Sequence, residues 1–239
     1  MNKAVFFDIG ATLIEGPYTS PAKQVKNMLE NMYKHIKIDP DKFAMFENSL
    51  MVDYIDNVYD FAKLIRGLSP IIGSAYSKVV AESVWASQGT GTVQVIPGAC
   101  NLLHSVTSSE LRTGFISNIW KPYFETFLKL LGPYINNNNS NCVLSFMRHT
   151  QKPDVALFEQ AMSEIDVLPK DSVMVGDTYK ADIAPAIELG MKTIWVLHRP
   201  TKEAAYITDV TSGVLPKPTL TVNHIDELTI DIIKEVLST

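Results

Sequence analysis

Four separate segments of the sequence carry polar side chains close behind a short apolar run. Asp8 follows AVFF, Ser117 ends LRTGFIS, and Asp177 follows SVMVG, each where a buried strand would end. Lys152 stands in TQKPDVALF, after the apolar run CVLS. A lone aspartate after a strand is usually a helix cap or a turn residue. Two carboxylates together with a serine and a lysine indicate a shared site, in which the lysine neutralises carboxylates or a bound anion.

The elements that must position these residues alternate between strand and helix patterns. Strands are predicted at 3–8, 111–117, 142–145, 172–176 and 192–197. Helices are predicted near 100–106, 121–131, 154–164, 180–189 and 226–237. This alternation is typical of a parallel sheet with crossover helices. Ligands of such sheets bind beyond the carboxyl ends of the strands, so we expect the four polar segments to meet at that edge.

The span between the first strand and the others has a different character. Residues 23–36, 41–55 and 70–87 carry apolar residues at helical spacing, and no convincing strand pattern interrupts them. The fold class predicted is therefore α/β, a three-layer Rossmann-like core with a central parallel sheet plus an inserted all-helical cap domain. The predicted boundaries are 1–15 and 93–239 for the core and 16–92 for the cap.

Four motifs of the chain resemble those of the haloacid dehalogenase-like (HAD) hydrolase superfamily. They are DIGAT at 8–12, SN at 117–118, KPD at 152–154 and GDTYKAD at 176–182, and they occur in the order found in that superfamily. The resemblance covers the core from residue 3 to about residue 197. The helical insert after the first motif is similar to the superfamily's helical cap. Any one motif alone is weak, but the four together are specific.

The resemblance implies catalytic roles for three residues. Asp8 would be the nucleophile that forms an aspartyl-phosphate, which divides one difficult displacement into two easier ones. Lys152 and a divalent cation would favour its ionised form. Ser117 would donate a hydrogen bond to a phosphoryl oxygen, and we expect Thr12 and Asn118 to bind substrate, Asn118 through its backbone N–H.

The resemblance also implies a magnesium ion, held by Asp8, Asp177, Asp182 and the backbone carbonyl of Gly10. Oxygen ligands suit Mg²⁺, which keeps several waters and takes only one or two carboxylates from a protein. A glycine at residue 10 preserves that carbonyl. Asp182 has an alternative interpretation, as a cap of the helix that follows it.

Gly10 departs from the pattern of the superfamily's phosphatases. Those enzymes carry an aspartate there, which protonates the leaving oxygen and then activates water, and Ala11 replaces the usual glycine beside it. General acid–base catalysis is commonly worth about 10²–10⁴ in rate, so a phosphatase without it should be slow. His149 and the cap residues Asp53 and Asp56 are candidates to replace the missing group.

Three functional interpretations follow from this departure. The first is a Mg²⁺-dependent phosphatase that acts on a small phosphorylated metabolite and takes its acid–base group from elsewhere. The second is a C–halogen or C–P hydrolase, whose leaving group needs no proton; a phosphonatase would need a cap lysine such as Lys42 or Lys63. Retention of Asp177 and Asp182 argues against a dehalogenase. The third is a catalytically weakened protein that binds a phosphorylated ligand or serves in regulation.

Composition favours a soluble cytoplasmic protein that acts on a small molecule. The chain has 239 residues, of which 46% are hydrophobic and 20% charged. A net charge of -5 without a long basic run argues against nucleic acid or an anionic membrane as a partner. The apolar run 4–7 is too short for a signal peptide, and Cys100 and Cys142 indicate reduced thiols. We expect a monomer or a homodimer.

Overall fold

The structure is a computed structural model that describes residues 2–17, 19–135 and 141–239. The strands of these ranges are β1 (Ala4–Phe7), β2 (Ile14–Glu15), β3 (Gln94–Val95), β4 (Arg112–Ser117), β5 (Cys142–Leu144), β6 (Ser172–Gly176), β7 (Lys192–Val196) and β8 (Leu220–Val222). Six of them form one parallel sheet in the order β5-β4-β1-β6-β7-β8. The central parallel sheet predicted from the sequence is therefore confirmed.

Helices of the described ranges account for most of the remaining regular structure. They are α1 (Pro21–Met32), α2 (Pro40–Val52), α3 (Val58–Gly67), α4 (Ser74–Ala86), α5 (Ala99–Thr107), α6 (Lys121–Leu131), α7 (Ser145–Arg148), α8 (Ala156–Glu164), α9 (Ala184–Glu188), α10 (Ala204–Thr211) and α11 (Ile230–Val236). Side chains of Ser20, Asp39 and Asn57 accept hydrogen bonds at the N-termini of α1, α2 and α3, as expected of capping residues. None of the helices described is long and apolar enough to cross a membrane.

The sheet lies between two layers of helices, as the alternation of its side chains requires. Val5 and Phe7 of β1 belong to a hydrophobic core that includes residues of α5, α6 and α11. Ala4 and Phe6 point the other way, into a core with residues of α8 and α9. All four side chains are fully buried. The three-layer α/β class is thus confirmed.

Helices α1 to α4 share a separate hydrophobic core. Phe61 lies at its centre, stacked on Phe46 with 6.2 Å between ring centroids and edge-on to Trp120 at 5.2 Å. Trp120 precedes α6, so this core reaches the carboxyl edge of the sheet. A block with its own core is consistent with an inserted cap, whose boundaries at 16–92 stay a prediction.

Several short elements differ from the sequence prediction. Strands β2 and β3 pair antiparallel in a two-stranded ribbon at the two ends of the helical block. Helix α10 and strand β8 lie between residues 197 and 226, where no element is predicted. The helix predicted near 180–189 is a π-helical turn, Tyr179–Ile183, followed by α9. The asparagine-rich stretch 136–140 lies outside the described residues.

Truncation of Phe61 tests the separate core of α1 to α4. We expect Phe61→Ala to lower the free energy of unfolding by about 3–5 kcal/mol, because it leaves a cavity among aromatic rings. Met45, on α2, is 71% exposed, so Met45→Ala should change the free energy of unfolding by no more than about 0.5 kcal/mol. Urea unfolding followed by circular dichroism gives both values. Equal losses in the two variants would contradict the packing described.

Candidate active site

Strand register brings the predicted polar segments to one edge of the sheet. Phe7 of β1 is level with Phe115 of β4 and with Val175 of β6. Asp8 therefore leaves the sheet beside the ends of both neighbouring strands, next to Ser117 and Asp177. The expectation that these segments meet at the carboxyl edge is confirmed.

Lys152 is the buried cation of this cluster. Its Nζ donates hydrogen bonds to Asp8 Oδ1 at 2.7 Å, to Asp182 Oδ1 at 2.5 Å and to the carbonyl oxygen of Ile116 at 2.8 Å. Its side chain is only 2% exposed. An ammonium group has three donors, and all three are used here. Lys152 thus ties the end of β1 to Asp182, beyond the end of β6.

Asp8 receives hydrogen bonds on both carboxylate oxygens. Ser117 Oγ donates to Oδ1 at 3.0 Å, and Thr12 Oγ1 donates to Oδ2 over a longer 3.4 Å. Oδ1 also accepts from Lys152, so it is the more strongly bound oxygen. Oδ2 is therefore the oxygen that is more available to a ligand or a metal ion.

Asn118 holds the segment that carries Lys152. Its Oδ1 accepts from the backbone N–H of Lys152 at 2.7 Å, and its Nδ2 donates to the carbonyl of the same residue at 2.8 Å. This reciprocal pair fixes the segment before α8 against the end of β4. The Asn118 side chain thus positions a cation, while contact between its backbone N–H and substrate stays a prediction.

Asp177 and Asp182 complete an acidic group with Asp8. Each of the three offers a carboxylate oxygen, and these oxygens all lie within 4.8 Å of one another. Asp182, in the π-helical turn, accepts from the backbone N–H of Thr178 at 2.9 Å. The Oδ2 of Asp177 accepts from Arg199 Nε at 2.9 Å and from Arg199 Nη2 at 2.6 Å. π-Helical turns occur frequently at functional sites.

The charges of this cluster do not balance. Burial raises the pKa of Asp182 to about 7, and Asp8 and Asp177 add to the shift, although Lys152 opposes it. Burial also raises the pKa of Asp177 against the effect of Arg199. Burial alone would lower the pKa of Lys152, but the carboxylates of Asp182 and Asp8 outweigh it and raise that pKa. Three carboxylates face two cations, which suits a further positive ion.

Gly10 lies in the same cavity, beside the aromatic ring of Tyr123. A Cβ at residue 10 would stand 3.8 Å from Tyr123 Cε1, an ordinary van der Waals distance. The backbone therefore has room for a side chain at this position. The next residue, Ala11, has a φ of 58°, in the left-handed region that strains residues other than glycine. A glycine at residue 11 would remove that strain.

The cavity has a volume of about 590 Å³ and is lined by ionisable residues that the motifs do not include. They are Glu15, His198, Arg199 and Lys202. The last three belong to HRPTK, which directly follows β7 at the carboxyl edge of the sheet. Their position after a predicted strand is a signal that could have identified them from sequence.

The candidates for the missing acid–base group lie elsewhere. His149 Nδ1 is 2.9 Å from the carbonyl oxygen of Val52, and Asp56 pairs with Lys121 at 3.0 Å. Neither they nor Asp53 are among the described residues that line the cavity. The structure therefore does not bring these three groups to Asp8.

Comparison with known proteins places this site in a family. The HAD-hydrolase-like family matches residues 149–228. The chain is 30% identical over 199 residues to a glyceraldehyde 3-phosphate phosphatase of Pyrococcus furiosus, covering 81% of this chain and 80% of that protein. The chain belongs to the HAD-like hydrolase superfamily. The predictions of this superfamily and of a hydrolase are confirmed.

Two further comparisons concern the family and the fold. A glyceraldehyde 3-phosphate phosphatase of Methanothermobacter thermautotrophicus is 30% identical over 209 residues, which cover 82% of this chain and 86% of that protein. The crystal structure of a HAD phosphatase from Thermococcus onnurineus aligns with a TM-score of 0.60 over 97% of each chain at 20% identity. The second comparison supports the fold alone.

Replacement of Lys152 tests the electrostatics of the cluster. Lys152→Met leaves Asp8 and Asp182 buried without their shared cation, so we expect a loss of about 3–5 kcal/mol in the free energy of unfolding at pH 8. Burial raises the pKa of Asp182, so this carboxylate binds a proton as the pH falls, and the loss should shrink at pH 5. Lys170→Met, at an exposed position, is the control. Urea unfolding without metal at both pH values measures the loss. A loss in the free energy of unfolding that is larger at pH 5 than at pH 8 would contradict this account.

Proposed function

We propose that the chain is a Mg²⁺-dependent phosphatase that hydrolyses a small phosphorylated metabolite through an aspartyl-phosphate on Asp8. The observation that carries this proposal is the convergence of Lys152 and Ser117 on Asp8, beside a cavity that Asp8 and Lys152 line together with Asp177 and Asp182. The relatives named glyceraldehyde 3-phosphate phosphatase support the phosphatase activity. They make a triose phosphate the first substrate to test.

Asp8 is suited to attack a phosphorus atom through Oδ2. Lys152 and Ser117 hold Oδ1, which fixes the orientation of the carboxylate. Thr12 contacts Oδ2 only at 3.4 Å. A fixed, charged carboxylate loses little orientational freedom when it reacts, which lowers the barrier to displacement. The residues around Asp8 thus fix its position.

The residues present fit a magnesium ion. Asp8, Asp177, Asp182 and the backbone carbonyl of Gly10 would hold it, an all-oxygen set of the kind that Mg²⁺ prefers. When bound, the ion would offset the repulsion between these carboxylates and a phosphoryl group. The surplus of carboxylates over cations in the cluster supports this assignment. Arg199, which pairs with Asp177, keeps that carboxylate oriented.

The phosphonatase interpretation gains no support from the cavity. It requires a cap lysine, and neither Lys42 nor Lys63 is among the described residues that line it. Lys63 pairs instead with Asp60 at 3.1 Å. The phosphatase interpretation needs no such lysine.

Three further expectations belong to this proposal. We propose that residues 16–92 act as a cap that closes over the strand ends, a motion that would exclude water from the reaction. The protein would act in the cytoplasm as a monomer or homodimer. The unpaired thiols of Cys100 and Cys142 support a reducing compartment.

Removal of the nucleophile tests the proposal directly. We expect Asp8→Asn to reduce hydrolysis of glyceraldehyde 3-phosphate in the presence of Mg²⁺ to the level of a protein-free blank, because an amide cannot form the aspartyl-phosphate. Asp231→Asn, at an exposed position on α11, should retain the wild-type rate. Phosphate release measures both. Turnover that survives in Asp8→Asn would refute covalent catalysis by this residue.

Binding of magnesium is testable without an activity assay. We expect millimolar Mg²⁺ to raise the melting temperature of the wild-type protein, because a ligand that binds only the folded state stabilises it. Asp177→Asn should lose most of this increase, and Asp231→Asn should keep it. Differential scanning calorimetry with and without EDTA gives the shift for each protein. An unchanged increase in Asp177→Asn would contradict the proposed metal site.

A further inference from the structure

One pair of side chains in the cavity has no part in the mechanism above. His198 Nε2 lies 2.9 Å from Glu15 Oε2. Both residues line the cavity that contains Asp8 and Gly10. The His198 side chain is 20% exposed and the Glu15 side chain 41% exposed, so both remain accessible to a ligand. A histidine oriented by a carboxylate is a common arrangement for proton transfer.

The backbone brings this pair to Gly10 from two sides. Glu15 belongs to β2, the strand that follows the turn after Gly10, and that turn is closed by a bond from the Ala11 N–H to the Ile14 carbonyl at 2.7 Å. His198 lies in the loop after β7, two strands away from β1 in the sheet. The bond between Glu15 and His198 therefore joins the ribbon to the edge of the sheet across the cavity.

We propose that His198, held in position by Glu15, performs the proton transfers that Gly10 cannot. This inference rests on the proposed phosphatase function. His198 is the catalytic residue, and Glu15 is a positioning residue that acts through it. Since Glu15 occupies Nε2, the other ring nitrogen, Nδ1, is the one that exchanges a proton with substrate and water.

His198 gives up one proton in the first step and regains one in the second. In the first, an Asp8 oxygen bonds to phosphorus while the bond from phosphorus to the leaving oxygen breaks. The leaving oxygen takes that electron pair and a proton from the His198 imidazolium, and the alcohol departs. In the second, the neutral imidazole takes a proton from water as the water oxygen bonds to phosphorus. The bond between phosphorus and Asp8 breaks, its electron pair returns to the carboxylate, and inorganic phosphate leaves.

Other polar groups of the cavity suit this task less well. Burial raises the pKa of the Tyr123 phenol far above its usual value, which disfavours transfer of its proton to a leaving oxygen. An arginine side chain donates hydrogen bonds and does not accept them, and that of Arg199 is engaged with Asp177. Lys152 is fully occupied by three acceptors. His198 combines access to the cavity with a side chain that both donates and accepts.

The leaving group distinguishes proton donation from a structural role. A poor leaving group such as the alcohol of glyceraldehyde 3-phosphate needs a proton, whereas 4-nitrophenolate leaves without one. For His198→Gln we expect kcat/KM to fall about 10²-fold or more with glyceraldehyde 3-phosphate and less than about tenfold with 4-nitrophenyl phosphate. Glu15→Gln should show the same selectivity with a smaller loss. His104→Gln, at an exposed site on α5, should leave both values unchanged.

A second variant tests whether His198→Gln loses the proton transfer that an aspartate at residue 10 performs in the superfamily's phosphatases. An added Cβ at residue 10 meets nothing closer than Tyr123 Cε1 at 3.8 Å, so Gly10→Asp can introduce the carboxyl group that the superfamily's phosphatases carry there. We expect the double variant His198→Gln, Gly10→Asp to have a kcat/KM for glyceraldehyde 3-phosphate at least tenfold higher than that of His198→Gln alone. Equal losses of His198→Gln with both esters, or no loss, would overturn the inference. So would a larger loss in Glu15→Gln than in His198→Gln, or no rescue.

The wild-type protein separates this inference from the proposed function. If wild type with Mg²⁺ hydrolyses neither ester, the proposed phosphatase fails and the inference fails with it. If wild type hydrolyses glyceraldehyde 3-phosphate and His198→Gln does so equally well, only the assignment of His198 fails. Circular dichroism spectra of the variants establish that each is folded before its rates are compared.

Discussion

The contact on which the site depends is that of one buried ammonium group with two carboxylates. Lys152 joins Asp8, at the end of β1, to Asp182, beyond β6, and donates its third hydrogen to the backbone of β4. Three strands that are distant in sequence are thereby held in one arrangement at the edge of the sheet. A buried charge is tolerated only when its partners are in place, so the pocket and the fold around it form together.

The hydrogen-bonded cluster around Lys152 has more carboxylates than cations, and this surplus suits the proposed magnesium ion. Asp177 is the third carboxylate, and Arg199 offsets only part of the total. A divalent cation and the cavity's lysines together would let a phosphorylated substrate approach an anionic nucleophile. Carboxylates would repel a phosphoryl group in the same cavity. A bound cation would offset this repulsion.

The sequence predicts the parts of this molecule that follow local rules. AVFF and SVMVG are buried runs that end in carboxylates, and the end of a parallel strand determines where its next residue lies. The ribbon of β2 and β3 escapes prediction because strands of two residues show no alternation. The contact between Glu15 and His198 is not predicted either, because the two residues are 183 positions apart in the sequence and Glu15 belongs to that ribbon. Candidates chosen by residue type alone, such as His149, lie away from the cavity.

The covalent intermediate is the central claim of this account, and mass spectrometry of an acid-quenched single turnover tests it most directly. Excess protein with Mg²⁺ and glyceraldehyde 3-phosphate, quenched within the turnover time and digested, should yield the peptide that contains Asp8 with the added mass of one phosphoryl group. The modification should disappear as the reaction completes. A phosphoryl group on a different residue, or substrate turnover with no modified peptide at any time, would contradict the account.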